Sequence, residues 1–406
     1  MRDRSHPLEL LRQAAEGRSR AGVRRTLVPR PAGPDGLVDL ASNDYLGLCG
    51  DKRLATAAVE AAWEWGTGST GSRLVTGTTA LHARLEARLA GFAGAPAALV
   101  FSSGYLANLT VLTALAAALD GAAAGGVLIV SDAGNHASLI DACRLARGGG
   151  ESRGDRGGRG VRVVVTPHRD LDAVRRALAG RDEAAAIVVS DAVFSVDGGQ
   201  APVAELHAVA REHGALVVLD EAHSFGVIGP GGRGTAAAAG IAAEPDLIRT
   251  VTLSKALAGQ GGAVLAAPEV LGTLVDTGRG FIFDTGLAPP CAGAALAALE
   301  VIEAEPELGA RARAAATRLA GIAAGLGLSV RPPDAAVLAV VVGDAARAAQ
   351  AQRICADHGV RAGCFRPPSV PAGQACLRLA ARASLTESDF AAAVRALAAV
   401  RDHGDS

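Results

Sequence analysis

The sequence predicts an α/β fold built on a mostly parallel, doubly wound sheet, with a smaller α/β domain at its C-terminal end. Three observations carry this. Seven short β-rich runs alternate with alanine-rich helical stretches. Each run is apolar almost throughout, as expected of strands covered on both faces. After Pro289-Pro290 the rhythm changes to one long helical stretch, then to a second group of helices and strands.

Along the chain, residues 1–42 form an arginine-rich arm. Asp3, Glu9 and Glu16 interrupt its basic character, and no apolar core or cleavage site follows. An amphipathic arm through Leu8, Leu10 and Leu11 is therefore expected rather than a transit peptide. Residues 43–290 form the large domain, with strands expected at 97–101, 127–130, 161–166, 186–190, 215–219, 247–253 and 262–266. Residues 291–406 form the small domain, opening with a helix at 291–305 and carrying strands at 336–342 and 376–380. Residues 148–160, a run of Gly and Arg, read as a surface loop; an RNA-binding segment of this kind needs a longer repeated tract.

Composition removes several classes of function. Half of the residues are apolar and the formal charge is −1. Acids and bases are intermixed, so no electrostatic footprint for nucleic acid or an anionic membrane stands out, and no stretch reads as a membrane span. Six cysteines lack CxxC pairs and lack histidines at metal spacing. That pattern argues against a metal site and for free thiols in a reducing cytoplasm.

Lysine is nearly absent. Among 40 basic residues only Lys52 and Lys255 are lysines. A guanidinium stays protonated, whereas an amine in a desolvated site can lose its proton and form a Schiff base with a carbonyl. Lys52 reads as a solvated charge beside a helix. Lys255, in Thr-Leu-Ser-Lys (252–255), ends an apolar run before a glycine cluster.

Two motifs are decoys. Gly66–Gly71 spells GxGxxG, but a dinucleotide site needs a strand before it, and residues 57–65 read as helix. Asp220-Glu221-Ala222-His223 spells a helicase box, yet no GxxxxGK[ST] loop accompanies it. A coherent set remains. Strand 97–101, the turn Ser102-Ser103-Gly104 and the helix that follows form a place for a phosphate. Asp220 ends a strand at the sheet edge where doubly wound folds bind ligands. His136 follows another strand, and His223 lies three residues beyond Asp220. Either histidine alone reads as structural. Together with Lys255 and Asp220 they fit pyridoxal phosphate, whose pyridine nitrogen a carboxylate keeps protonated.

These residues resemble the α-oxoamine synthases, a pyridoxal-phosphate family of aspartate-aminotransferase-like fold (fold type I). The likeness runs from about Arg24 to Leu397 through residues 41–48, 101–108, 136–142, 193–198, 220–223, 252–255, 365–373 and 377–379. The resemblance implies that Lys255 carries pyridoxal 5′-phosphate, Asp220 pairs its nitrogen and His136 stacks on its ring. Ser195 and His223 would contact the ring hydroxyl side. Gly104 and Tyr105 would lie in the cofactor pocket, and Thr252 and a neighbouring subunit's Thr285 would reach the phosphate, which implies a homodimer with shared sites. Arg378 would hold the amino-acid carboxylate, Asn43 would lie near the substrate adduct, and Arg24 and Ser369 near the acyl substrate. Lys255 would take the α-proton, with His136 or His223 polarising the thioester carbonyl.

Within the family, the segment 365–373 favours members that join L-alanine to a pimeloyl thioester, carried on CoA or on acyl carrier protein, in biotin synthesis. A sibling using glycine or serine with another acyl-CoA is the alternative, and a non-catalytic partner subunit the remote one, since such a subunit would have lost Lys255. Two departures from the family pattern are Ser224, where Gly is usual, and the length of loop 148–160.

Overall fold

The computed structural model describes residues 6–33, 35–122, 125–148 and 160–404. A seven-stranded sheet forms its centre. In spatial order its strands are Ala97–Phe101, Gly262–Ala266, Leu247–Thr252, Leu216–Asp220, Ala185–Asp191, Val127–Asp132 and Val161–Thr166. Gly262–Ala266 runs antiparallel to both its neighbours, and the other pairings are parallel. Strands 97–101, 161–166 and 262–266 lie where the apolar runs place them. Val127–Asp132 extends two residues further, because the polar pair Ser131-Asp132 still pairs with Val165 and Thr166. Aliphatic clusters on both faces explain why the strands carry no polar alternation.

Helix Gly104–Ala122 illustrates the limit of reading hydropathy alone. It is long and apolar enough to cross a membrane by length and composition. Here Ala107, Val111, Leu112 and Leu115 bury it against the sheet. Helix Pro289–Ala304 packs on helices Lys52–Trp65 and Ala80–Ala93, so the core around the large sheet continues past residue 290. A separate core begins within helix Leu308–Gly325, whose Leu308 and Ala312 still pack in the first core and whose Ala316, Leu319 and Ala323 pack in the second. It lies under a four-stranded antiparallel sheet ordered Gly363–Phe365, Ala375–Ala380, Val337–Gly343 and Ser329–Val330. Val38–Asp39 pairs in parallel with Val360–Arg361, tying the N-terminal segment to this second body. The arm is helical over Pro7–Arg20, and none of its residues is buried, Leu8, Leu10 and Leu11 included. Most of loop 148–160 lies outside the described residues.

Register sets the site. Asp191 and Asp220 are partners at the carboxyl ends of neighbouring strands, and Thr252 ends the next strand. Immediately after Asp220, Glu221 turns into the core and meets Arg249 at 2.6 Å, both side chains being essentially inaccessible to solvent. The Glu221 carboxylate also accepts from the Thr235 hydroxyl and the Ala236 N–H. Arg249 uses its remaining donors on the carbonyls of Ala93 and Arg233. Breaking a buried pair on one side strands the other charge. Glu221→Leu is therefore expected to cost about 3–5 kcal/mol in denaturant unfolding. Adding Arg249→Met should restore most of that loss, and a double variant no more stable than the single one would contradict this account.

Candidate active site

Lys255 follows strand Leu247–Thr252 in a tight turn that places Ala258 at φ 53°. Its Nζ lies 3.1 Å from His223 Nε2. Burial, only partly offset by Asp220, lowers its amine to about 8. Lys52, by contrast, is exposed at the start of helix Lys52–Trp65. That helix is also what precedes the glycine motif 66–71, so the decoy lacks its strand. Ser69 in that loop donates to the Leu287 carbonyl at 2.6 Å.

His223 is buried, with Nδ1 2.6 Å from the Tyr45 hydroxyl. Burial first, then the cations Lys255 and Arg378, push its pKa well below the ordinary value and keep it neutral. Asp220 accepts from Asn108 Nδ2 at 2.7 Å and from the Ala222 N–H at 2.8 Å. Asn108 also donates to Ser138 Oγ at 2.9 Å and accepts from the Thr250 hydroxyl at 2.7 Å. Ser138 Oγ lies 2.7 Å from His136 Nδ1, which also accepts from the Ser138 N–H at 3.2 Å. Since Asn108 donates to Ser138, the serine proton points to Nδ1, and neutral His136 carries its own proton at Nε2. Burial also lowers the pKa of His136, opposed by Asp220.

Asp191 stands beside Asp220 and receives the His136 N–H at 3.0 Å. Burial and then the Asp220 charge raise its carboxyl well above the usual range. At the other end of the site, Arg378 projects from strand Ala375–Ala380. It donates to the Ser195 carbonyl at 2.6 Å and to Asn43 Oδ1 at 2.9 Å, and stacks over Phe365. It is 4% exposed, yet forms no ion pair among the described residues. A buried guanidinium without an anion is poised to receive a carboxylate.

The turn 102–104 opens helix Gly104–Ala122, where Ser103 Oγ accepts the Leu106 N–H. Gly104 and Tyr105 occupy the first helical positions, whose N–H groups have no partner inside a helix. A Cβ on Gly262 would lie 2.4 Å from the Gly104 nitrogen, and one on Gly104 would lie 3.2 Å from Thr252. Glycine at both points lets this helix end close on Thr252, whose hydroxyl lies 2.7 Å from Ser254 Oγ.

The sequence model of the aminotransferase class I and II family matches residues 35–397. The chain belongs to that family. It is 52% identical over 394 residues to the 8-amino-7-oxononanoate synthase of Mycobacterium sp. (strain JLS), covering 97% of each chain. Among solved structures it resembles a serine palmitoyltransferase from S. paucimobilis with a bound PLP-myriocin aldimine, at 27% identity, TM-score 0.86 and 98% coverage of both chains. It also resembles the 8-amino-7-oxononanoate synthase from Francisella tularensis, at 25% identity and TM-score 0.74, covering 91% of this chain and 98% of that one. The aspartate-aminotransferase-like fold and the family resemblance read from the motifs both hold.

The cofactor is pyridoxal 5′-phosphate, and the donor set fits it. A depressed amine, a strand-end carboxylate and a glycine-bared helix start beside a threonine hydroxyl are the groups this aldehyde phosphate requires. The structure brings Lys255, Asp220, His136, His223, Ser195, Asn43 and Arg378 into one linked set. Tyr105 is more peripheral: it is exposed, and its hydroxyl donates to Asp141 at 2.6 Å. Thr285 is exposed and bridges Ser72 within its own chain. Arg24 lines a surface cleft with Arg12, Glu16 and Arg20, whereas its neighbour Arg25 donates to Ser369 Oγ at 3.3 Å. Ser224, the departure from the family pattern, is fully buried and donates its N–H to the Glu221 carbonyl.

Sequence reasoning left Tyr45, Asn108, Ser138 and Asp191 without roles. Asn108 offered a signal: a lone amide on the buried face of an apolar helix. Tyr45 offered another, as one of only two tyrosines.

Asn108→Ala removes the link between Asp220 and Ser138. A loss of about 1–3 kcal/mol in stability is expected, with faster loss of cofactor on dialysis, read by visible absorbance. His223 makes stability depend on pH. Its folded pKa is depressed, so below the unfolded value near 6.5 the unfolded chain binds more protons and stability falls as pH drops. His223→Gln should be stabilised relative to the parent on going from pH 7 to pH 5, measured as the difference between their unfolding free energies. A difference independent of pH would refute the assignment of a neutral His223.

Proposed function

We propose that the protein condenses L-alanine with a pimeloyl thioester, releasing carbon dioxide and free thiol and giving 8-amino-7-oxononanoate. The observation that carries the chemistry is the buried Arg378, without an ion pair among the described residues, in one site with a depressed amine at Lys255. The 52% identity to a named 8-amino-7-oxononanoate synthase supports the substrates. Pyridoxal phosphate, when bound, supplies the electron sink for negative charge at the amino-acid α-carbon.

Lys255 would hold the cofactor, Asp220 its ring nitrogen, and His136 the face of the ring. Ser195 and His223 would lie at its hydroxyl, with Gly104, Tyr105 and Thr252 on the phosphate side. Arg378 and Asn43 orient the amino acid by its carboxylate. The Lys255 amine, about half in its free form near pH 8, accepts the α-proton. The Nε2–H of His136 polarises the thioester oxygen as charge develops there.

The acyl donor would approach along Ser369, where Val23, Arg25, Cys364, Phe365, Arg366 and Pro367 line a cavity of about 240 Å³. Arg25 and Arg366 form no ion pair there among the described residues, which suits an anionic donor. Phe365 forms part of this wall and also lies under Arg378, so the cavity adjoins the carboxylate site. A homodimer in which Thr285 of the partner subunit completes the phosphate site agrees with the exposure of Thr285 and Phe283. Six free thiols agree with a cytoplasmic setting.

The likeness to serine palmitoyltransferase keeps serine with a long acyl-CoA as the second reading. Alanine, glycine and serine are to be added separately while the cofactor's visible band is followed, then pimeloyl-CoA with assay of free thiol. Alanine is expected to shift the band and to release thiol. A response to serine and palmitoyl-CoA alone would reverse the substrate assignment. Lys255→Ala should lose the reaction by at least about 10³-fold, and Arg378→Ala should raise the KM for alanine.

A further inference from the structure

The hydroxyl of Tyr45 lies against three other site residues at once. It is 2.6 Å from His223 Nδ1, 3.1 Å from Asn43 Oδ1 and 3.4 Å from Arg378 Nη2. His223 reaches Lys255 Nζ through its other nitrogen at 3.1 Å, and Arg378 Nη2 reaches Asn43 Oδ1 at 2.9 Å. The Tyr45 side chain is wholly buried.

Donor counting restricts this set. Arg378 only donates and Asn43 Oδ1 only accepts, so the single Tyr45 proton has two acceptors to choose between. While Lys255 is an ammonium, it donates to His223 Nε2. Neutral His223 then carries its proton on Nδ1 and donates to the Tyr45 oxygen, and the tyrosine proton turns to Asn43. Once Lys255 has released one proton to solvent, its lone pair accepts from Nε2–H. Nδ1 is then bare, the tyrosine proton turns to it, and Asn43 Oδ1 is left to Arg378. The histidine and the tyrosine each keep one proton throughout.

We propose that Tyr45 is a positioning residue that couples the charge on Lys255 to the hold of Arg378 and Asn43 on the amino-acid carboxylate, by turning its one hydroxyl proton between His223 and Asn43. The proposal rests on Lys255 being the cofactor-bearing amine and Arg378 the carboxylate site. The other charged groups bearing on this pair are few. Asp220 and Asp191 favour the ammonium and Arg378 opposes it, while Arg378 and His136 add to the pressure that keeps His223 neutral. Tyr45 itself is influenced by Arg378, against a burial that holds its proton on.

The test strips the cofactor from the full chain and follows pyridoxal phosphate uptake by absorbance from about pH 6.5 to about 9.5, around the reference range of histidine and a depressed lysine. The wild-type rate should rise with a midpoint near 8. Tyr45→Phe deletes three hydrogen bonds from the ammonium arrangement, to His223, Asn43 and Arg378, and two from the amine arrangement, to His223 and Arg378. Its midpoint should therefore fall by about 0.5–1 pH unit. An unmoved midpoint in a variant with unchanged circular dichroism overturns the coupling. Independently of any variant, 15N NMR of histidine-labelled wild type should show His223 passing from Nδ1–H to Nε2–H across the same midpoint, and a single fixed tautomer overturns it. If Lys255→Ala still forms the same absorbance band, the reading of Lys255 falls and takes the coupling with it.

Discussion

The ion pair between Glu221 and Arg249 sets the geometry on which the site depends. Both charges are sealed from water, and nearly every donor and acceptor they offer is used within the core. Such a pair adds little net stability over apolar side chains, but it tolerates only one arrangement. Glu221 points into the core, while Asp220 before it meets Asn108 and His223 after it meets Lys255. The Glu221 carbonyl then receives the N–H groups of Ser224 and Phe225, which closes the turn. The order carboxylate, anchor, spacer, imidazole is thus a mechanical unit as well as a chemical one.

Around that unit, buried polar groups regulate one another. Asp191 and Asp220 are too close for both to bear full charge at low cost, and Asp191 takes the proton-retaining role. Burial drives His136, His223 and Lys255 toward their neutral forms. The site therefore presents neutral imidazoles beside an amine that gives up its proton near pH 8. Asn108 joins two of these groups, since a single amide serves Asp220 and, through Ser138, His136.

Much of this was legible in the sequence because it depends on local chemistry. Fully apolar runs are strands covered twice, and the sheet bears this out strand by strand. The rarity of lysine singled out Lys255, and the residues at strand ends singled out Asp220. What stayed hidden depends on contacts between distant segments. Tyr45 meets His223 across 178 positions and Arg378 across 333. No periodicity reports such a meeting. Asp191 escaped notice because its meaning lies in register with Asp220, which only the folded sheet supplies. The arm expected through Leu8, Leu10 and Leu11 is a helix over Pro7–Arg20, with those leucines on the surface of the single chain.

The division of the apolar interior has a bearing on inherited or engineered damage. Asp220 ends a strand packed into the cores of the large sheet and Lys255 lies in the turn after its neighbour, whereas Arg378 stands on a strand whose packing belongs to the separate core with Leu338, Leu377, Leu379 and Phe390. A loosening of that second core reaches the carboxylate clamp directly and the cofactor only at second hand. Lesions far from any reacting atom should therefore sort into two phenotypes according to which interior they disturb: proteins that keep their colour but bind the amino acid poorly, and proteins that bleach.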